Sequence, residues 1–124
     1  MRTLNLTLVS DIVKYEADSS YSRDEDTLAS GSGVVLSGTV LGKVASTRKF
    51  KPLAPAAADG TEKAAAIILQ RSDATSADQT VVNLKRHAKV VLQSLKWPAG
   101  ITAEQRAAAL DQLEALGLVA RNGA

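Results

Sequence analysis

Residues 34–69 constrain the fold more than any other stretch, because short β-branched runs alternate there with glycines, prolines and a polar turn. Branched side chains crowd a helix but fit a pleated sheet, and glycines permit bends and bulges between strands. Two prolines favour extended backbone before a helical turn at residues 56–58, and Asp59 with Gly60 favours a reversal at positive φ. We therefore expect a bent ribbon of short strands, at residues 34–36, 39–41, 43–45 and 64–69.

The chain after this ribbon returns to strands, separated by polar segments. Residues 70–79 have the composition of a polar loop, and Lys85, Arg86 and His87 form a basic turn. Apolar and β-branched residues flank these segments, and His87 is interpreted as a surface strand residue. The further strands are predicted at residues 80–84, 88–95 and 118–121.

One helix is predicted near the C-terminus. Thr102 and Gln105 have the spacing of a capping box, so the helix begins at residue 103 and runs to about residue 116. Gly117 is a good residue to end it. The stripe expected to face the core consists of Ala103, Ala107, Leu110, Leu113 and Leu116. The fold class is therefore mainly β with one C-terminal α-helix, an α+β protein.

Trp97 and Pro98 mark a sharp corner before this helix. Proline disfavours helix at Trp97, and Gly100 frees the backbone after it. Trp97 either packs the corner onto the domain or anchors a partner, and packing is the favoured interpretation. The pair Trp97 and Pro98 is kept as a possible interface.

The first residues alternate apolar and polar side chains with a period of two, which predicts a half-buried strand. Residues 10–32 are rich in Ser, Asp and Glu and predict a polar linker. This divides the chain into an arm with its linker, residues 1–33, and a domain, residues 34–124. A strand so separated either folds back onto its own domain or adds to the sheet edge of a partner. The candidate binding strand is Thr3, Leu4, Asn5, Leu6, Thr7, Leu8 and Val9.

Charge and composition disfavour several classes of function. The 124 residues carry a formal net charge of +2, but residues 1–30 hold three basic and six acidic side chains, and the remainder twelve and seven. The basic residues are spread among strands and turns without interleaved aromatic residues, which disfavours nucleic-acid binding. No apolar run reaches membrane-spanning length, and polar residues interrupt any signal-peptide pattern. The lack of cysteine fits synthesis in the cytoplasm.

No cluster of residues predicts catalysis, a metal site or a cofactor. His87 is the only histidine, and neither a cysteine nor a paired carboxylate stands beside it in sequence. The acidic turn from Asp59 to Glu62 suggests a metal or phosphate ligand, but a single acidic loop is usually only a turn. We therefore expect a structural or binding protein rather than an enzyme.

Three segments in this order carry a family resemblance. They are GTVLGKV at residues 38–44, PLAPAAADGTEKAAAIIL at 52–69, and RHAKVVLQSLKWPAGITAEQRAAALDQLEALGLVAR at 86–121. Over about residues 34–121 the chain resembles the bacteriophage head decoration proteins, the lambda decoration protein D family. The N-terminal region departs from that family by being longer and more acidic.

The resemblance implies a β-clip-like domain that associates as a homotrimer and is not an enzyme. Members of the family sit on the outer surface of the phage head at three-fold positions after the shell has expanded. They cement the shell against the pressure of packaged DNA, and the N-terminal arm reaches the major capsid protein. Together with the composition, this leads us to expect no nucleic-acid partner, no membrane partner and no cofactor.

Two other classes of protein remain open. A small trimeric enzyme on a similar scaffold would need a carboxylate and a phosphate-binding loop at one site, whereas the acidic residues here are scattered. An adaptor or self-assembling protein would use the same arm to pair with its own copies or with a host protein.

Overall fold

The computed structural model describes residues 12–122, which form a mostly β fold with one main C-terminal helix, as the sequence predicts. The N-terminal half contains β1 (Val13–Glu16), α1 (Ser19–Ser22), β2 (Arg23–Leu28), β3 (Gly33–Val35), β4 (Val40–Lys43) and β5 (Phe50–Pro52). The C-terminal half contains β6 (Ala66–Ile68), β7 (Ser72–Ala74), β8 (Gln79–Leu84), β9 (Ala88–Val91), a 3₁₀ helix (Leu92–Ser94), α2 (Ala103–Ala115) and β10 (Leu118–Arg121).

Five strands close into a small barrel in the order β2-β5-β4-β6-β8. Strand β2 closes it by pairing with β8 in antiparallel register from Arg23 opposite Leu84 to Leu28 opposite Gln79. A single parallel pair, Leu28 with Phe50, joins β2 to β5. A first core of buried residues draws on all five strands, as expected of a barrel interior: Leu28, Leu41, Phe50, Ala66, Ile68 and Val81, with Val35 and Ala74.

A second core lies between the barrel, helix α2 and a three-stranded sheet of order β1-β9-β10. Strand β6 serves both cores, because Ala66 and Ile68 point into the first and Ile67 into the second. Strand β10 pairs in parallel with β9, so α2 forms the crossover that parallel strands require. Leu113 of α2 is fully buried in this core, which places the helix on the inner face of the sheet.

The local signals at the helix ends are confirmed. Thr102 accepts a hydrogen bond from the backbone of Gln105, and the Gln105 side chain accepts one from the backbone of Thr102, each at 3.0 Å. Gly117 follows the helix with a φ of 85°. The predicted core stripe is only partly right, because Ala109 and Leu113 are buried and Leu110 packs beside them. The other predicted members, Ala103, Ala107 and Leu116, are exposed.

The prediction of a polar linker at residues 10–32 is wrong for its described part. Strand β1 pairs with β9, and β2 forms one wall of the barrel. Ile12 and Leu28, both within this stretch, are fully buried. Residues 1–11, which include the predicted arm strand, lie outside the described residues, so that strand stays a prediction.

Smaller corrections concern three loops. The polar loop at residues 70–79 contains β7, which pairs with β3, and its last residue begins β8. Residues 56–58 form no helical turn, because the one turn here is closed between Ala54 and Ala57, and the strand predicted to reach residue 95 gives way to the 3₁₀ helix. His87 is exposed as predicted, but it lies in a turn at a φ of 54° rather than in a strand.

Gly42 offers a test of barrel packing, because a Cβ atom there would lie 2.5 Å from the Cα atom of Thr61. We expect Gly42→Ala to lower the free energy of unfolding by about 3 kcal/mol, since a backbone atom must shift to make room. Gly100→Ala is the control: Gly100 has a φ of 77° but no neighbour within 4 Å, so strain alone costs about 1 kcal/mol. Urea unfolding measures both. Equal losses would show that Gly42 is not sterically required.

Candidate interaction surfaces

Two of the three acidic side chains of β2 form ion pairs with basic residues that follow β8. Asp24 Oδ2 lies 2.6 Å from Arg86 Nη2 and 3.4 Å from Lys85 Nζ. Asp26 Oδ1 lies 3.4 Å from Lys85 Nζ, and its other carboxylate oxygen accepts a hydrogen bond of 3.0 Å from Asn83, which is fully buried. The hydrogen bond from Arg86 holds the pKa of Asp24 below its usual value. These ion pairs therefore add to the backbone pairing that joins β2 to β8.

The turn at Asp59 is held by hydrogen bonds to one oxygen atom of the Asp59 carboxylate. Asp59 Oδ1 accepts hydrogen bonds from the backbone N–H of Thr61 at 3.0 Å and from its hydroxyl at 2.5 Å. These bonds to Thr61 lower the pKa of Asp59. Gly60 adopts a φ of 110° and packs against the carbonyl of Lys43. The turn has a structural role, and the metal or phosphate interpretation gains no support from it.

His87 is held by backbone contacts rather than by functional side chains. Its carbonyl accepts hydrogen bonds from the backbone of Ala17 at 3.0 Å and from the Ser22 hydroxyl at 3.3 Å. The Tyr21 ring meets the imidazole edge-on, with centroids 5.1 Å apart. Among residues 12–122, no group of three or more His, Cys, Asp or Glu side chains is arranged to hold a metal ion. No helix within the described chain is long and apolar enough to span a membrane.

Trp97 and Pro98 line an apolar groove of about 380 Å³, which we call the Trp97 groove. Trp97 also packs against the second core, as the favoured interpretation expects. The same side chain therefore packs the corner and lines the groove. Lys96 donates a hydrogen bond of 2.5 Å to the carbonyl of Ser37, and burial lowers its pKa. The groove is bordered by two half-exposed apolar residues, Val34 and Leu36. The use of Trp97 and Pro98 as an interface stays a prediction.

A second groove, of about 550 Å³, crosses the outer face of the three-stranded sheet. Tyr15 stands on this face with 63% of its surface exposed, directly across from Lys89. Val119 pairs with Lys89 from the other side, and Arg121 follows along β10. We call these four residues the sheet face. The prediction of a linker at residues 10–32 hides this face, although Val13 and Tyr15, two residues apart, are typical of a strand.

The comparison with known families decides the class of protein. The sequence model of the family described as bacteriophage lambda head decoration protein D matches residues 5–118 of the 124. The chain belongs to this family. No curated protein matches it significantly. The family match gives the protein a role in decorating the phage head and a location in the capsid, and this family is structural rather than enzymatic.

The ion pairs of β2 predict how this decoration protein responds to acid. Because the pKa of Asp24 is lowered in the folded state, its contribution to stability is fully present above the unfolded pKa of about 4 and is lost as the pH falls from there through the folded pKa. Asp24→Asn should therefore lower the free energy of unfolding at neutral pH by about 1 kcal/mol or less, since the carboxylate is partly exposed.

The difference between Asp24→Asn and the wild type should shrink as the pH falls below about 4 and disappear once the pH has passed below the lowered pKa of the folded state. Thermal unfolding followed across the pH range measures it. Asp111→Asn is the control, because Asp111 is exposed on α2 and makes no salt bridge among the described residues. A loss for Asp24→Asn that does not change with pH would rule out the ion pair as its cause.

Proposed function

We propose that the chain binds as a β-clip-like homotrimer to the outside of the expanded phage head at three-fold positions. There it stabilises the shell against the pressure of packaged DNA. Residues 3–9 attach it by adding a strand to a sheet edge of the major capsid protein. The observation that carries this proposal is the family match, which begins at residue 5 and so includes most of the predicted binding strand.

The alternation of the arm suits strand addition. Added to a sheet edge, Leu4, Leu6 and Leu8 point to one side and enter an apolar groove of the capsid protein. The polar residues Thr3, Asn5 and Thr7 point to the other side. The backbone of the added strand supplies hydrogen bonds that do not depend on side chains, so the leucines set the specificity.

Energetics favour several arms acting together. Ordering seven residues costs about 1 to 2 kcal/mol for each residue. Each new backbone hydrogen bond returns about 0.5 to 1.5 kcal/mol, and each buried leucine about 1.5 to 3 kcal/mol. One arm is therefore close to break-even. In a trimer the second and third arms bind at a high effective concentration, so release requires all three to detach.

Removing the arm tests the attachment. A variant lacking residues 1–10 should remain a folded trimer, because Ile12 and everything after it keep their packing. It should no longer bind expanded heads, and heads mixed with it should lose their DNA on heating as readily as undecorated heads. Light scattering measures the oligomer, and cosedimentation with purified heads measures binding. Undiminished decoration by the shortened protein would refute the role of the arm.

The two faces of the arm give a sharper test. Leu6→Asp should abolish cosedimentation with expanded heads, because a carboxylate cannot enter an apolar groove without losing its hydration. Asn5→Asp introduces the same charge one residue away, on the polar side, and should bind within a few-fold of the wild type. Equal loss from both variants would mean that charge, rather than the leucine face, governs binding.

A further inference from the structure

The folded position of residues 12–28 leaves a very short connection between the arm and the body. Ile12 is fully buried, and Val13 pairs with Val90 at the start of β1. If residues 3–9 are paired with the capsid protein, only Ser10 and Asp11 separate that strand from Ile12. Three Cα–Cα steps span at most about 11 Å. The body must then lie against the shell subunit that its arm binds.

The pairing register identifies which part of the body lies nearest. Strands β1 and β9 are antiparallel, so the chain that leads into Val13 comes from the end of the sheet that holds Val91. Arg121 is the partner of Val91 on β10. The arm therefore leaves the body at the Arg121 end, and the groove on the sheet face runs from there past Lys89 and Tyr15 toward His87.

The chemistry of this face selects an acidic partner. None of the described residues that line its groove carries a carboxylate, whereas Lys89, Arg121 and His87 all line it. Among the described residues, neither Lys89 nor Arg121 makes a salt bridge. Tyr15 stands beside Lys89 on the neighbouring strand β1, and its exposed ring offers apolar area together with a hydroxyl group. An acidic polypeptide segment matches this arrangement in charge.

We propose that the sheet face is a second docking site for the shell, which takes an acidic segment of the same capsid subunit that receives the arm. Lys89 and Arg121 pair with its carboxylates, and Tyr15 packs against its backbone. The proposal rests on the proposed function, and it adds a rigid contact whose charge complementarity aligns the trimer on the shell.

Charge reversal in the full-length protein tests the site. The double variant Lys89→Glu with Arg121→Glu should bind expanded heads roughly tenfold or more weakly at low salt, because each of three subunits loses two ion pairs. The difference should shrink at high salt, where such pairs are screened. The matched control is Lys63→Glu with Arg71→Glu, which changes the net charge equally at two exposed residues without salt bridges among the described residues. Its affinity should stay near that of the wild type.

Crosslinking identifies what covers the face. Tyr15→p-benzoylphenylalanine should crosslink to the major capsid protein on illuminated heads, and the same residue at position 63 should not. A crosslink to a second copy of the chain, or loss of the trimer in the charge-reversed variant, would make the face a subunit interface and overturn the proposal. Unchanged affinity of the charge-reversed variant for expanded heads would also overturn the proposed docking site. If binding still requires residues 1–10 in that case, the proposed function stands. If the wild-type protein itself fails to bind heads, both proposals fail.

Discussion

The pairing of β2 with β8 is the interaction on which the rest of the structure depends. It closes the barrel and brings Leu28 into the first core. Asp26 of β2 would oppose this pairing if it were left without partners, because its side chain is only 14% exposed and burying an unpaired charge is costly. Lys85, which follows β8, pairs with Asp26, and Lys85 and Arg86 both pair with the more exposed Asp24. Strand β1 precedes β2 and pairs with β9. The start of β1, at Val13, is therefore the point at which the arm joins the body.

Features that depend on neighbouring residues in sequence were predictable. The capping box of Thr102 and Gln105, the helix end at Gly117 and the turn at Gly60 each rest on a few adjacent side chains, and all are present. Strand β2 could not be read in this way. Its charge partners lie about sixty residues away, and its local composition of Arg, Asp and Glu is that of a solvated linker. Pairing, rather than propensity, makes it a strand.

A candidate surface was predictable only where it contains a residue that is conspicuous in the sequence. Trp97 stands out in any sequence, and it does line a groove while packing against the second core. The sheet face brings together Tyr15, Lys89 and Arg121 from three strands that only the fold assembles. In the helix, sequence reasoning predicts too many buried residues. Ala103 and Ala107 fit an apolar period, but the crossover between β9 and β10 buries only the side that holds Ala109 and Leu113.

A short connection changes what kind of attachment the arm can make. A linker of two dozen polar residues would let each arm search widely, and the body could sit in many orientations above the shell. With two residues between the proposed binding strand and a fully buried Ile12, the effective concentration of each arm would rise, but only for partner sites at one distance and direction. Three such arms would engage together only if the shell sites match the trimer in spacing. Geometry, rather than the affinity of any single arm, would then restrict binding to one state of the shell.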